Sequence, residues 1–384
     1  MPQKTLRPQV FQNALLLATA LPLLVEVSMA AGVLPRGGMV AEHYLAIVLF
    51  VSLAHVPATF YLMLDRDLTR GLTTPAWQLI LIPAAFITVL PYILFVHSPR
   101  GENDTSDLVL LTVLGYLAWQ HWHFGRQNIG VLAFSTMAPE GRRVSSFERL
   151  TINGASLGAA LGIVGMLGPQ LTDTYASAGT SSVALPLIDL GAAAGWALQV
   201  ALIAGALIYM ARYRRTYTRR TALTYFCSVA FFAPLHFYPD GLHASFPAGH
   251  GLQYMIFLAY HAMARMHARP PDNGDSAAEM PVGVRRHVIW PCLLLAIFIM
   301  GGLFYVTKGE TAGLISGLGA ASGLFSVPGD RALLILMGLD LGLGCIHFWY
   351  DSIIWRIRDP SQRQWLMSRY AFMFERPARS QPGS

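Results

Sequence analysis

Apolar runs long enough to cross a bilayer recur along the whole chain, at 10–34, 40–64, 77–97, 108–134, 147–168, 185–211, 221–238, 246–266, 288–306 and 332–355. A hydrocarbon core ~30 Å thick takes ~20 helical residues. Backbone polar groups in lipid must bond within their own segment, so each run reads as a helix. The predicted fold is therefore all-α, a polytopic transmembrane bundle of about ten spans. One further stretch, 311–327, is rich in Gly, Ala and Ser. It suits a re-entrant or interfacial segment on the outer side. No soluble domain interrupts the pattern, so 1–384 reads as a single integral membrane domain.

Loop charge sets the orientation. With ten spans and a cytoplasmic N-terminus, 23 of the 27 Lys and Arg residues fall in inner segments, and only Arg36, Arg100, Lys308 and Arg331 fall outside. The positive-inside rule favours that topology, with both termini cytoplasmic. An eleventh crossing at 311–327 would place the arginine-rich C-terminus outside. Lys4 and Arg7 ahead of the first run, with Ser28, Met29 and Ala30 further on, have the outline of a signal peptide. The run is long for a signal core and continues past that point, so it reads as a span. The inner membrane of a bacterium, crossed many times, is the expected location.

Composition agrees and narrows the function classes. The chain is 54% hydrophobic and 12% charged, against roughly 25% charged in soluble domains. The net charge of +6 comes from loop arginines and is no nucleic-acid signal. The three cysteines, Cys227, Cys292 and Cys345, sit singly in apolar runs. They form no CxxC pair, which argues against a disulfide scaffold or a thiolate metal site.

Polar residues inside the spans carry the chemistry. Ionisable groups at that depth normally face a bundle interior and meet partners there. The fourth run holds the densest set, Gln120, His121, Trp122, His123, Phe124, Gly125, Arg126, Gln127 and Asn128. His121 and His123 point about 160° apart on a helix, so only one squarely faces a given site. Gln127 follows His123 at i+4 and is placed to orient it. The second run carries His55. The eighth carries His250, Gln253, Tyr254 and His261. His250 and His261 share a face but lie roughly 16 Å apart along the axis, too far for one site. The tenth carries Asp340, His347 and Asp351 in one stripe, and His347 and Asp351 at i+4 can approach one centre.

Each feature also has a plain packing role. A lone histidine in a span commonly bonds a neighbouring helix, which suits His55 and His261 taken singly. His43, His97, His267 and His287 read as solvated, and His236 and His243 as interfacial. Histidines at depth on four runs, two of them with a carboxylate or amide nearby, favour a shared centre. The expected metal ligands are His55, His121, His123, His250, His261, His347 and Asp351. Arg126, Gln127, Gln253, Tyr254 and Asp340 are the expected catalytic or proton-handling neighbours. The cluster is expected in the middle to cytoplasmic half of the bundle, with His250 displaced outward.

Imidazole suits iron, copper and zinc, and imidazole with carboxylate suits non-haem iron. GxGxxG and GxxxxGK[ST] in strand–helix context, HExxH and the HxxxH and HxxHH boxes of membrane desaturases are all missing. The polytopic plan with histidines on several spans resembles the bacterial membrane β-carotene cleavage dioxygenases. That resemblance covers overall plan only and implies iron. The stretches 120–130, 250–254 and 347–360 look like an uncharacterised group of polytopic bacterial membrane proteins, which implies no activity.

The leading expectation is a membrane metalloenzyme, an oxidase or oxygenase acting on a lipophilic substrate from the bilayer. Iron is the expected cofactor, as one or two ions, with copper or zinc as alternatives and an electron donor as a partner. Two other classes stay open. Histidines on facing spans would suit a haem- or quinone-linked electron-transfer protein. The stripe of Asp340, His347 and Asp351 would also suit a transporter with a His/Asp relay.

Overall fold

The computed structural model describes residues 8–34, 55–56, 59–60, 62–63, 66–97, 107–175, 181–237, 245–267, 331–356, 359–370 and 373. The expected span at 288–306 and the segment at 311–327 lie outside the described residues, as do most of 40–64, His43, His243, His287 and Cys292.

Among the described residues the chain is all-helical, with no strand. The helices are α1 (Pro8–Ala30), α2 (Arg66–Arg70), α3 (Ala76–His97), α4 (Asp107–Glu140), α5 (Ser146–Tyr175), α6 (Ser181–Arg212), α7 (Arg219–Ala230), α8 (Ala233–Phe237), α9 (Ser245–His267), α10 (Arg331–Ile354) and α11 (Pro360–Arg369). Pieces at 55–56, 59–60 and 62–63 are also helical. The stretches Pro8–Ala30, Ala76–Val96 and Asp189–Arg212 are long and apolar enough to cross a membrane.

The run at 221–238 is not one helix. It breaks after Ala230 and resumes at Ala233. Pro234 explains the break, because it has no N–H for the helical ladder and its ring disfavours a continuous helix.

Two helix contacts fix the elements that carry the polar centre. The first joins α10 to α3. A Cβ on Gly342 would sit 3.0 Å from the carbonyl oxygen of Phe86. Gly342 and Asp351 are nine residues apart, or half a turn out of phase at 100° per residue. Thus α10 packs its glycine face on α3 and turns Asp351 inward. The second joins α9 to α1. A Cβ on Gly249 would sit 2.9 Å from the Ala18 carbonyl oxygen. This close approach seats the neighbouring His250 inside the bundle, where it is fully buried.

Apolar cores lie on both sides of these polar groups. One gathers Leu94, Val113, Phe124, Ile152, Phe232 and Phe246. The other gathers Phe11, Leu15, Phe134, Tyr254, Phe257 and Trp365.

Polar contacts fasten the loops. Ser145 and Glu148 form a reciprocal cap on α5. The Glu148 N–H donates to Ser145 Oγ at 3.2 Å, and the Ser145 N–H donates to Glu148 Oε2 at 2.6 Å. Arg142 adds a two-pronged pair to Glu148, at 2.9 Å on each oxygen. Burial acts to lower the guanidinium pKa, but the Glu148 hydrogen bonds outweigh it and raise it above the usual arginine value.

Candidate metal centre

Four histidines and one aspartate converge, with His123 from α4, His250 from α9, His347 and Asp351 from α10, and His55 from the piece at 55–56. All five are at most 8% exposed. Two overlapping triads have ligand atoms within 4.8 Å of one another: His55, His250 and His347, and His123, His347 and Asp351. His347 belongs to both.

The spacings are those of a coordination shell. His55 Nε2 lies 3.1 Å from His347 Nε2. Asp351 Oδ2 lies 3.5 Å from His123 Nε2 and 3.7 Å from His347 Nε2. Donors held about 2.1 Å from one ion lie about 3.0 Å apart at a right angle and about 3.4 Å apart at the tetrahedral angle. Ring centroids of His123 and His347 are 5.1 Å apart, and those of His123 and His250 are 4.8 Å apart.

Hydrogen bonding does not account for this arrangement. Both ring nitrogens of the fully buried His250 have no hydrogen-bond partner, and neither do His123 Nε2 and Asp351 Oδ2. Buried polar atoms nearly always have a partner, and exceptions point to a bound ion or water. A carboxylate removed from water also needs a compensating charge. One cation would answer both needs, so the donors present fit a metal.

Neighbouring groups orient the candidate ligands. His347 Nδ1 is 2.5 Å from Thr59 Oγ1. That hydroxyl also lies 2.9 Å from the Tyr254 hydroxyl and 3.3 Å from Asp351 Oδ1. The His123 ring lies over Phe348 and the His250 ring over Phe124, with centroids 4.6 and 4.4 Å apart.

Gln127 does not serve His123, as its i+4 spacing suggested. Its amide donates to the His250 carbonyl at 3.0 Å and to Gln253 Oε1 at 2.8 Å. Gln253 then donates to Asn128 Oδ1 at 2.9 Å and Thr19 Oγ1 at 2.8 Å. The α1–α4–α9 junction is thus a buried amide chain that holds His250 by its backbone.

The remaining expected site residues lie elsewhere. His121 faces away from the centre, with Nδ1 2.7 Å from the Leu117 carbonyl oxygen and its ring among Phe124, Phe232 and Phe246. His261 packs on Trp365, ring centroids 5.4 Å apart. Asp340 is half-buried two turns before His347, about 10.5 Å along the axis. Arg126 is exposed. His250 was expected outward of the other ligands. It joins them because α9 begins at Ser245 and its start is packed tightly on α1.

Sequence reasoning missed Thr59, although it follows His55 at i+4. It also missed the buried α1 stripe of Gln12, Thr19 and Glu26, at most 2% exposed. Their spacing of seven residues marks one helix face and was the available signal.

Comparison with protein-family models, curated proteins and solved structures finds no match.

Proposed function

We propose that this chain is a multi-pass metalloenzyme of a bacterial inner membrane, an oxidase or oxygenase acting on a lipophilic substrate at a buried His/Asp centre. One observation carries the reading: His250, fully buried, has both ring nitrogens unpartnered beside three further histidines and a carboxylate.

Non-haem iron suits the donors best. The subset His123, His347 and Asp351 has the two-histidine, one-carboxylate composition used by iron oxygenases, and such iron activates dioxygen toward an apolar substrate. This chain's residues would hold the ion, fix its ligands and exclude water. With Nδ1 directed at Thr59, His347 has one nitrogen left for a metal. Both triads then meet at His347 Nε2, which favours a single ion over two.

The helix lengths support a bundle of about ten spans beyond the three stretches named above, since α4 and α5 run 34 and 30 residues and ~20 residues suffice. The polar set from Gln120 to Asn128 that furnishes the centre also lowers the apolarity of α4. Cytoplasmic termini, on the loop charges, complete the topology we propose. Substrate would enter from the bilayer, and a reductant would serve as electron donor.

The geometry favours this reading over a haem. Axial histidines on one iron stand about 4 Å apart, twice a metal–nitrogen bond, whereas His55 Nε2 and His347 Nε2 are 3.1 Å apart. His123, His250 and Asp351 crowd the space that a porphyrin would need.

Metal analysis of purified protein tests the proposal. The expected result is one iron per chain, lost in His347→Ala, with no Soret band. Iron, copper, zinc and manganese all far below one per chain after iron-supplied growth and reconstitution would overturn it.

A further inference from the structure

Hydroxyls in a helix usually return their proton to the carbonyl one turn back. Thr19, Thr88, Thr112, Ser156, Thr224 and Ser228 all do so here, at 2.6 to 3.0 Å. Thr59 reaches across the bundle instead. Its hydroxyl lies within hydrogen-bond distance of three side chains on two other helices: His347 and Asp351 on α10, and Tyr254 on α9. Thr59 is itself fully buried.

We propose that Thr59 is the positioning residue of the centre: it accepts the Nδ1–H of His347, so that His347 offers Nε2 to the ion. The inference rests on the metal reading above, because it takes Asp351 as an ionised ligand.

Proton counting carries it. A threonine hydroxyl has one proton to give and two lone pairs to share, and an ionised carboxylate only accepts. Asp351 Oδ1 faces the hydroxyl. In its contacts with Tyr254 and Asp351 the Thr59 hydroxyl is the donor, so its one proton goes to Asp351 directly or to the Tyr254 oxygen. In both cases none is left for His347 Nδ1, and that nitrogen must be the donor. A neutral imidazole with Nδ1 protonated has its lone pair on Nε2. His347 Nε2 is the atom that faces His55 at 3.1 Å and Asp351 Oδ2 at 3.7 Å. An outer hydrogen bond of this kind sets the tautomer of a metal-ligating histidine and raises its basicity. The same hydroxyl ties Asp351 to Tyr254, so one residue orients two ligands.

Two measurements test the proposal. The first reads the histidine tautomer in the zinc-loaded, unsubstituted chain, labelled with ¹⁵N-histidine in lipid. The His347 signal is assigned by its loss in His347→Gln. Protonation at Nδ1 is expected, and protonation at Nε2 overturns the proposal. The second measures cobalt(II) affinity by chelator competition in Thr59→Val and Thr59→Ser. Valine keeps the shape and removes the hydroxyl. The expected loss for valine is about 10- to 100-fold, with a changed cobalt absorption spectrum and near-native binding restored by serine. A valine variant that binds cobalt as tightly as the unsubstituted chain overturns the proposal. If Thr59→Val does not fold, the tautomer measurement decides alone. If the unsubstituted chain binds neither zinc nor cobalt, the proposed function fails and the inference with it, whereas zinc binding with His347 protonated at Nε2 overturns the inference alone.

Discussion

His55 Nε2 and His347 Nε2 face each other at 3.1 Å although 292 residues separate them in the chain. Two imidazole nitrogens at that distance share either a proton or a cation. Their surroundings favour the cation, because His250, His123 and Asp351 bring further donor atoms that have no hydrogen-bond partner. The functional reading follows from this convergence.

The first prediction separates ligands from bystanders on the same helices. His123→Ala, His250→Ala and His347→Ala should each lose bound metal, whereas His121→Ala and His261→Ala should keep it. His121 is two residues from a ligand, yet its ring sits among phenylalanines. Metal per chain, measured by mass spectrometry on folded variants, checks this. Loss of metal in His121→Ala together with retention in His250→Ala would sink the assignment.

Much of this was legible beforehand, for definite reasons. Helical periodicity placed His347 and Asp351 on one face and showed that His121 and His123 cannot serve one site together. Spacing also showed that His250 and His261 are too far apart to share a centre. It could not say which member of each pair would turn inward, because that depends on packing. Gly249 against Ala18 admits His250, and Gly342 against Phe86 turns the opposite face of α10 toward the centre. The partners of Gln127 escape the i+4 rule for a related reason. The i+4 rule reports neighbours on one helix, but the stronger acceptors were the His250 carbonyl and Gln253 on another. Thr59 was invisible because a threonine in an apolar run normally bonds its own helix.

The second prediction tests the packing that seats His250. Gly249→Ala places a Cβ 2.9 Å from the Ala18 carbonyl oxygen and 3.1 Å from Pro22 Cδ. These are backbone and ring atoms with little room to yield. Overpacking of this kind costs about 1 to 3 kcal/mol. Thermal unfolding in detergent should shift down, and metal affinity should fall as His250 is displaced. Gly130→Ala is the control, since nothing lies within 4 Å of its Cβ. If both variants match the unsubstituted chain, α1 does not constrain His250.

The third concerns the loop before α5. Glu148 is fully buried and accepts from both Arg142 terminal nitrogens and from the Tyr217 hydroxyl at 2.6 Å. Removing one partner of a buried pair leaves the other uncompensated, at a cost of about 3 to 5 kcal/mol. Glu140 still faces Arg142 at 2.8 Å, so Glu148→Ala should cost about 3 kcal/mol, the low end of that range. Denaturant unfolding of the metal-free chain measures it. A change within experimental error would mean that Glu140 alone suffices for Arg142.

The fourth is a pH dependence at α11. Asp359 caps that helix, accepting from the Ser361 N–H at 2.9 Å and the Thr73 hydroxyl at 2.8 Å. The hydrogen bonds from Ser361, then from Thr73, hold its carboxyl below the usual carboxylate pKa. A carboxylate with a depressed folded-state value stabilises above its unfolded value and loses that contribution as pH falls through the lowered one. The clip between α11 and the 71–75 loop should therefore hold at neutral pH. It should begin to loosen only below the ordinary aspartate range. A spin label on Arg363→Cys reads this as increased mobility. Asparagine keeps the cap without the charge, so Asp359→Asn should flatten the pH response. Loosening at mildly acidic pH, or the same response in Asp359→Asn, would assign the titration to another group.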